Sequence, residues 1–191
     1  MFRFFARSLP AVLLLGLFGC EETPDPIDPQ PTPQGIAADI ADASETLDMN
    51  VAGCGDVFVY AFDDAETRRI TISIQGDHAE TARTALTTQV TTFDLPHPDV
   101  TITAAWGDQL VYELCNDALD PNLAPLIDGE ATAISGTVVL TIEPEIVEDA
   151  PTQVFAHLEL QDVTLEHTDS DAQHTIDAAM VEDVFVGWYP G

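Results

Sequence analysis

From residue 50 onward, apolar and polar side chains alternate along most of the chain, the spacing of β-strands with one buried face. Ile70, Ile72 and Ile74 alternate with Arg69, Thr71 and Ser73 in the cleanest instance. Phe58, Tyr60 and Phe62 alternate with Val57, Val59 and Ala61, so this strand is apolar on both faces and is expected to be central. Further runs lie at Leu86–Phe93, Val100–Trp106, Leu110–Cys115, Thr137–Ile142, Val154–Leu160 with Val163–Leu165, and Val184–Tyr189. Eight or nine short strands separated by Gly, Pro and Asp predict an all-β domain over residues 36–191, built as an antiparallel β-sandwich.

Phase within the runs predicts two local details. Gly107-Asp108-Gln109 separates Trp106 from Leu110. A two-residue turn there would set Ile102 opposite Glu113. A three-residue loop instead pairs Trp106 with Leu110, Ala104 with Tyr112 and Ile102 with Leu114, and the apolar match selects it. Leu160 and Val163 fall out of phase across Gln161-Asp162, and a bulge at that point returns both halves to the core face. Helical spacing is scarce. Ile36, Ile40 and Leu47 fit a short amphipathic helix, although a helix-free reading of this segment fits as well. Ala79, Ala82, Ala85 and Leu86 fit a second helix, in competition with the threonine-rich strand that follows. No internal repeat is visible.

The first twenty residues break this pattern. Arg3 and Arg7 precede a mostly apolar stretch from Leu9 to Phe18, the layout of a secretory signal and too short for a bilayer span. Leu17-Phe18-Gly19-Cys20 resembles the lipobox of bacterial lipoproteins, with Phe18 larger than that family's usual residue. The resemblance covers residues 1–20 only. It implies a signal peptide over 1–19, cleaved before Cys20, and a diacylglycerol (with palmitate-type chains) on the Cys20 thiol. Membrane attachment would then be by lipid alone, because two or more acyl chains give stable anchoring. Glu21 follows the cysteine in place of the aspartate associated with inner-membrane retention, which points to the outer membrane, facing the periplasm or the exterior. The bland alternative is an ordinary signal peptide that leaves Cys20 as an odd thiol. Residues 20–35 follow as a Pro-rich tether, with Pro24, Pro26, Pro29, Pro31 and Pro33 in the run. Proline fixes φ and removes a donor, so the run is expected to be an extended spacer of about 45 Å at ~3.1 Å per residue.

Composition adds compartment and excludes partners. The 191 residues carry 34 acids, no lysine and five Lys+Arg positions, all arginine, for a formal charge of −29; 46% are apolar, which is too many for a disordered acidic chain. Such a charge excludes nucleic acid, whose phosphates need clustered cations, and docking on anionic lipid through a basic patch. Past Cys20 only Arg68, Arg69 and Arg83 face the 34 acids. Bound cations or a saline medium would each account for that imbalance. Cys54 and Cys115 are an even pair in an exported chain and are expected to form a disulfide.

Candidate chemistry is sparse. The chain holds no GxSxG, HExxH, GxxxxGK[ST] or GxGxxG, and without lysine it cannot form a Schiff base. The five histidines are His78, His97, His157, His167 and His174. His167, Asp169, Asp171 and His174 could make a mixed N/O metal site, but a solvated acidic loop fits the same residues. Asp63-Asp64-Ala65-Glu66 and Asn116–Asn122 could offer oxygens to calcium, and both are equally turn sequences. Trp106 and the C-terminal Trp188-Tyr189 suit a sugar or peptide contact as well as they suit strand ends. No catalytic residue, cofactor or resident metal is assigned. The expected function is a lipid-anchored envelope module that binds or supports without catalysis, its protein or glycan partner unidentified. The alternatives are a secreted hydrolase using two carboxylates and a calcium-stabilised adhesion-type module.

Overall fold

The computed structural model describes residues 31–116, 123–148 and 150–188. Most of the expected runs lie in strands, Leu110–Cys115 does not, and a strand at residues 50–54 was not expected; the bounds are β1 Asn50–Cys54, β2 Val57–Phe62, β3 Arg68–Ile74, β4 Gln89–Leu95, β5 Val100–Asp108, β6 Leu126–Val147, β7 Ala150–His167 and β8 Gln173–Val186. All pair antiparallel within one eight-stranded sheet of order β1-β2-β3-β5-β6-β7-β8, with β4 also on β6. The all-β expectation holds, and where a sandwich of two sheets was expected the described residues form one sheet, curled into a half-barrel. β1 meets the far end of that sheet, where Gly55 and Trp188 form an isolated bridge with N···O distances of 2.6 Å. The concave face that a second sheet would have covered is filled by its own inward side chains and by a helix.

That helix, α1 (Pro33–Ser44), packs against β3, β5, β7 and β8 through Ile36, Ile40 and Ala43, and the following 3₁₀ turn adds Leu47. Thr32 caps it by accepting the Gly35 N–H at 3.2 Å. Pro33–Gly35, assigned to the tether from sequence, open α1 instead. A proline at the first helical position lacks only an N–H that would have no partner there. The second expected helix also forms, as α2 (His78–Ala85); Leu86 caps it in the left-handed conformation, so the strand expected from Leu86 begins only at Gln89. Its N-terminus is held from a distance: both Asp56 carboxylate oxygens accept, from the His78 and Ala79 N–H at 2.7 and 2.8 Å. No helix among the described residues is long and apolar enough to cross a membrane.

The phase change at Gln161-Asp162 is present, and both Leu160 and Val163 are fully buried. Against β6 it is the expected irregularity: the β6–β7 register shifts between Ala133 and Ser135 and again between Ser135 and Thr137, and Asp162 takes φ +51°. β7 keeps the same register with β8 on both sides of Asp162, from Leu160↔Ala179 to Val163↔Ile176. β6 steps at the same level, around Ser135-Gly136. The three strands therefore crease together. The crease is also where β6 exchanges one neighbour for another, pairing β5 before it (through Thr132) and β4 after it (from Gly136). Gly136 has φ +121°, and a Cβ on it would lie 2.6 Å from Val163 Cα, so glycine is required at this fold line.

The expected hairpin across Gly107-Asp108-Gln109 is absent. β5 pairs with β3 on one edge (Ile72↔Ile102) and β6 on the other (Thr103↔Thr132), which leaves no edge for Leu110–Cys115. That segment is a chain of turns, which we term the strap. Leu110 is nonetheless 0% exposed, its N–H donating to Glu66 O, and its carbonyl accepts from Arg69 Nη1. Arg69 belongs to the outward-facing set of β3, so the strap crosses the convex face of the sheet. It ends at the expected disulfide, Cys54–Cys115, which ties it to β1. Tyr60, Arg69 and Thr71 are outward in phase yet buried in this region. Burial lowers the Arg69 pKa, with Glu113 and Glu130 opposing. Burial also raises that of the Tyr60 phenol.

Candidate functional site

No described segment crosses the convex face of β6, β7 and β8 past the crease. The centre of that face is His157, and the geometry around it is set by a β-bulge. Ala156 pairs with Val184 and Leu158 with Val181, so one residue of β7 faces two of β8, Glu182 and Asp183. Val181 and Val184 are both buried although three residues apart; the extra residue keeps both inward. Asp183 takes up the excess with φ +56°, and its N–H donates to His157 Nδ1 at 3.3 Å. On the opposite edge of the ring, His157 Nε2 lies 3.6 Å from a Glu143 carboxylate oxygen, while an Asp183 carboxylate oxygen is 4.0 Å from Nδ1.

Shallow grooves on either side of His157 merge into one trough. The first, about 320 Å³, is lined by Val139, Thr141 and Met180 together with Glu143, Glu159 and Glu182. The second runs past Glu143, Glu145 and Phe155. A third carries the trough from Asp183 over Phe185 to Trp188 and β1. The aromatic side chains form a row, with Phe155 and Phe185 centroids 6.2 Å apart and Phe185 and Trp188 stacked at 6.4 Å and 9°. Trp188 is fixed at the end of this row because its Nε1–H donates to Gly53 O at 3.2 Å.

This arrangement supplies flat apolar area beside a dense set of hydrogen-bond acceptors. It is poorly suited to holding a metal through His157, because the two nearest carboxylates flank opposite nitrogens and do not share a coordination point. Among the described residues no group of three or more His, Cys, Asp or Glu could hold a metal ion.

Of the residues singled out from sequence, Trp188 and His157 lie in the trough and the others fall elsewhere. His167 closes the β7–β8 turn: its Nδ1 accepts from the Asp169 N–H at 3.2 Å and lies 3.1 Å from Ser170 Oγ. His174 pairs across the hairpin with Leu165. Trp106 lies within β5, 5.7 Å from the His167 ring, with Gly129 beneath it; a Cβ there would meet the indole at 2.3 Å. Asp63 builds the β2–β3 turn, accepting from the Thr67 N–H (2.7 Å), the Thr67 hydroxyl (2.8 Å) and the Arg68 N–H (3.1 Å). Burial alone would raise its pKa, but these bonds and the Arg68 charge hold it below the ordinary carboxylate value. Asp64 accepts from Asn50, and Arg68 pairs with Asp42 of α1 at 3.0 Å. His78 and His97 pack edge-on to either side of Phe93. Cys20, residues 117–122 of the second candidate calcium loop, and Tyr189 lie outside the described residues.

The trough residues come from positions 51–53, 139–145, 155–159 and 180–188, with no common spacing. One signal was present: Val181 and Val184, like Leu160 and Val163, break the alternation and mark an irregularity beside Glu182-Asp183. No family model, curated protein or solved structure matches the chain.

Proposed function

We propose that the protein is a lipid-anchored module of a bacterial cell envelope that binds, without catalysis, through the convex face of β6–β8. In this reading Cys20 carries the lipid at the outer membrane. The Pro-rich residues after it hold the acidic domain away from the bilayer. The trough receives a ligand with a flat apolar face and several hydrogen-bond donors. The observation that carries the reading is the continuity of the face: the row Phe155, Phe185 and Trp188 leads directly into an imidazole ringed by carboxylates. Aromatic rings beside polar groups supply contact area at little entropic cost, which suits recognition surfaces.

Two methionines of matched exposure provide the test. Met180 (54% exposed) lies in the trough, and Met49 (52%) lines a separate hollow beside the β2–β3 turn. Hydroxyl-radical oxidation of the protein in intact envelopes and after purification should show Met180 protected in the envelope and Met49 equally reactive in both. Equal reactivity of Met180 in both would remove the trough as the binding face. Mass spectrometry of the native N-terminal peptide checks the anchor separately: an acylated chain starting at Cys20 is expected, and an intact Met1 would overturn the anchoring.

A further inference from the structure

We propose that His157 is a proton-operated latch on the β8 bulge, so that the trough changes shape as the imidazole takes up its second proton. The proposal rests on the trough as the binding face only for its biological use; the latch itself is a property of the chain alone. In the neutral ring Nδ1 accepts the Asp183 N–H at 3.3 Å, which places the ring proton on Nε2, toward Glu143. The bulge is held in this state: Asp183 sits at φ +56°, a conformation that a residue with a side chain adopts at some cost, and its amide is fastened to the ring.

A proton arriving from solvent at Nδ1 removes that acceptor. The new Nδ1–H and the Asp183 N–H then point at one another, and both need oxygen partners. An Asp183 carboxylate oxygen lies 4.0 Å from Nδ1 on an extensively exposed side chain, so it can turn in. The groups facing the ring are all acidic: Glu143 and Glu145 from β6, Glu159 from β7, and Glu182 and Asp183 from β8. None of the arginines lines the described trough. The surroundings therefore accept the imidazolium, while the backbone of the bulge cannot keep its bond to it. Buried Val181 and Val184 pin the chain on both sides, which confines the rearrangement to Glu182 and Asp183. Glu182 lines two of the grooves, and Phe185 follows directly in the aromatic row, so the movement alters the recognition face and leaves the core in place.

Amide and imidazole NMR of the full chain between about pH 5 and 8, where histidines titrate, tests this without a ligand. At the upper end the His157 ring should be the Nε2–H tautomer. As it protonates, the protection of the Asp183 amide, relative to its intrinsic exchange rate at each pH, should fall about tenfold, the consequence of losing one hydrogen bond. Both changes should share one midpoint. In His157→Asn the amide oxygen can occupy the place of Nδ1 and does not titrate, so Asp183 protection should be retained across the range. An Asp183 amide indifferent to His157 protonation, or one whose loss of protection persists in His157→Asn, would overturn the latch. Either result leaves the Met180 footprint untouched, so the two readings fail separately.

Discussion

The two convex faces of this sheet differ in what lies on them. On the side of β1, β2 and β3 the disulfide ties the strap down, Arg69 bonds it at Leu110, and Tyr60, Arg69 and Thr71 are buried. Over β6, β7 and β8 equivalent outward positions carry Glu143, Phe155, His157, Glu159 and Glu182, and no described segment crosses them. Cover turns outward residues into a second core, in which each polar atom requires a partner. Arg69 shows the cost: its Nη1 bonds the Leu110 carbonyl while its Nε has no hydrogen-bond partner among the described residues. On the bare face the outward residues are free of packing constraint and can be spent on recognition. The strapped face should therefore be sensitive in stability, and the bare face tolerant of substitution.

The strongest way to break that contrast is to release the strap. Replacing Cys54 and Cys115 together with alanine reopens a loop with a sequence separation of 61 and should lower stability by about 4 kcal/mol in the chain-entropy treatment. Urea unfolding measures the loss, and proteolysis of the native state should then cut within residues 109–116. A double variant as stable as the parent would mean that the strap is held by packing alone. Between the faces lies the crease, where Gly136→Ala drives a Cβ against Val163 Cα and should cost about 2–3 kcal/mol by the same unfolding measurement.

A smaller effect separates pH from packing. The lowered pKa of folded Asp63 means that its contribution is complete above the unfolded carboxylate range and is lost as pH falls through the folded value. Asp63→Asn should therefore cost about 1 kcal/mol at neutral pH, and the gap to the parent should close as acid protonates the parent's own carboxyl. A gap that stays constant down to acid pH would assign the effect to turn geometry instead of charge. The smallest effects belong to the bare face: Phe185→Ala and His157→Asn should each change stability by no more than about 0.5 kcal/mol. A loss above about 2 kcal/mol from either would show that this face, too, is structural.

Several features were legible in the chain because their causes are local. Ile70, Ile72 and Ile74 alternate with polar residues, and all three are inside. The cysteine pair follows from parity and compartment, and Asp63 was readable as a turn residue. The mismatch of Leu160 and Val163 located the crease, although not that β6 and β8 share it. Leu110–Cys115 misled because an apolar segment that pairs at a strand edge and one that lies across a sheet face bury similar residues. The number of free edges on β5 decides between them, and that depends on β3 and β6, far away in sequence. His157 carried no distinguishing neighbour either, since Glu143 and Asp183 reach it only across paired strands.

Sequence by itself determined which segments are extended and which side of each faces the core. Both follow from alternation and short-range backbone sterics, which involve residues only a few places apart. Tertiary structure alone decided that one sheet curls onto α1 in place of meeting a second sheet, that one convex face is strapped, and that residues 143, 157 and 183 share a site. Those outcomes depend on hydrogen-bond register between distant strands and on which edges and faces remain unoccupied once the sheet has closed.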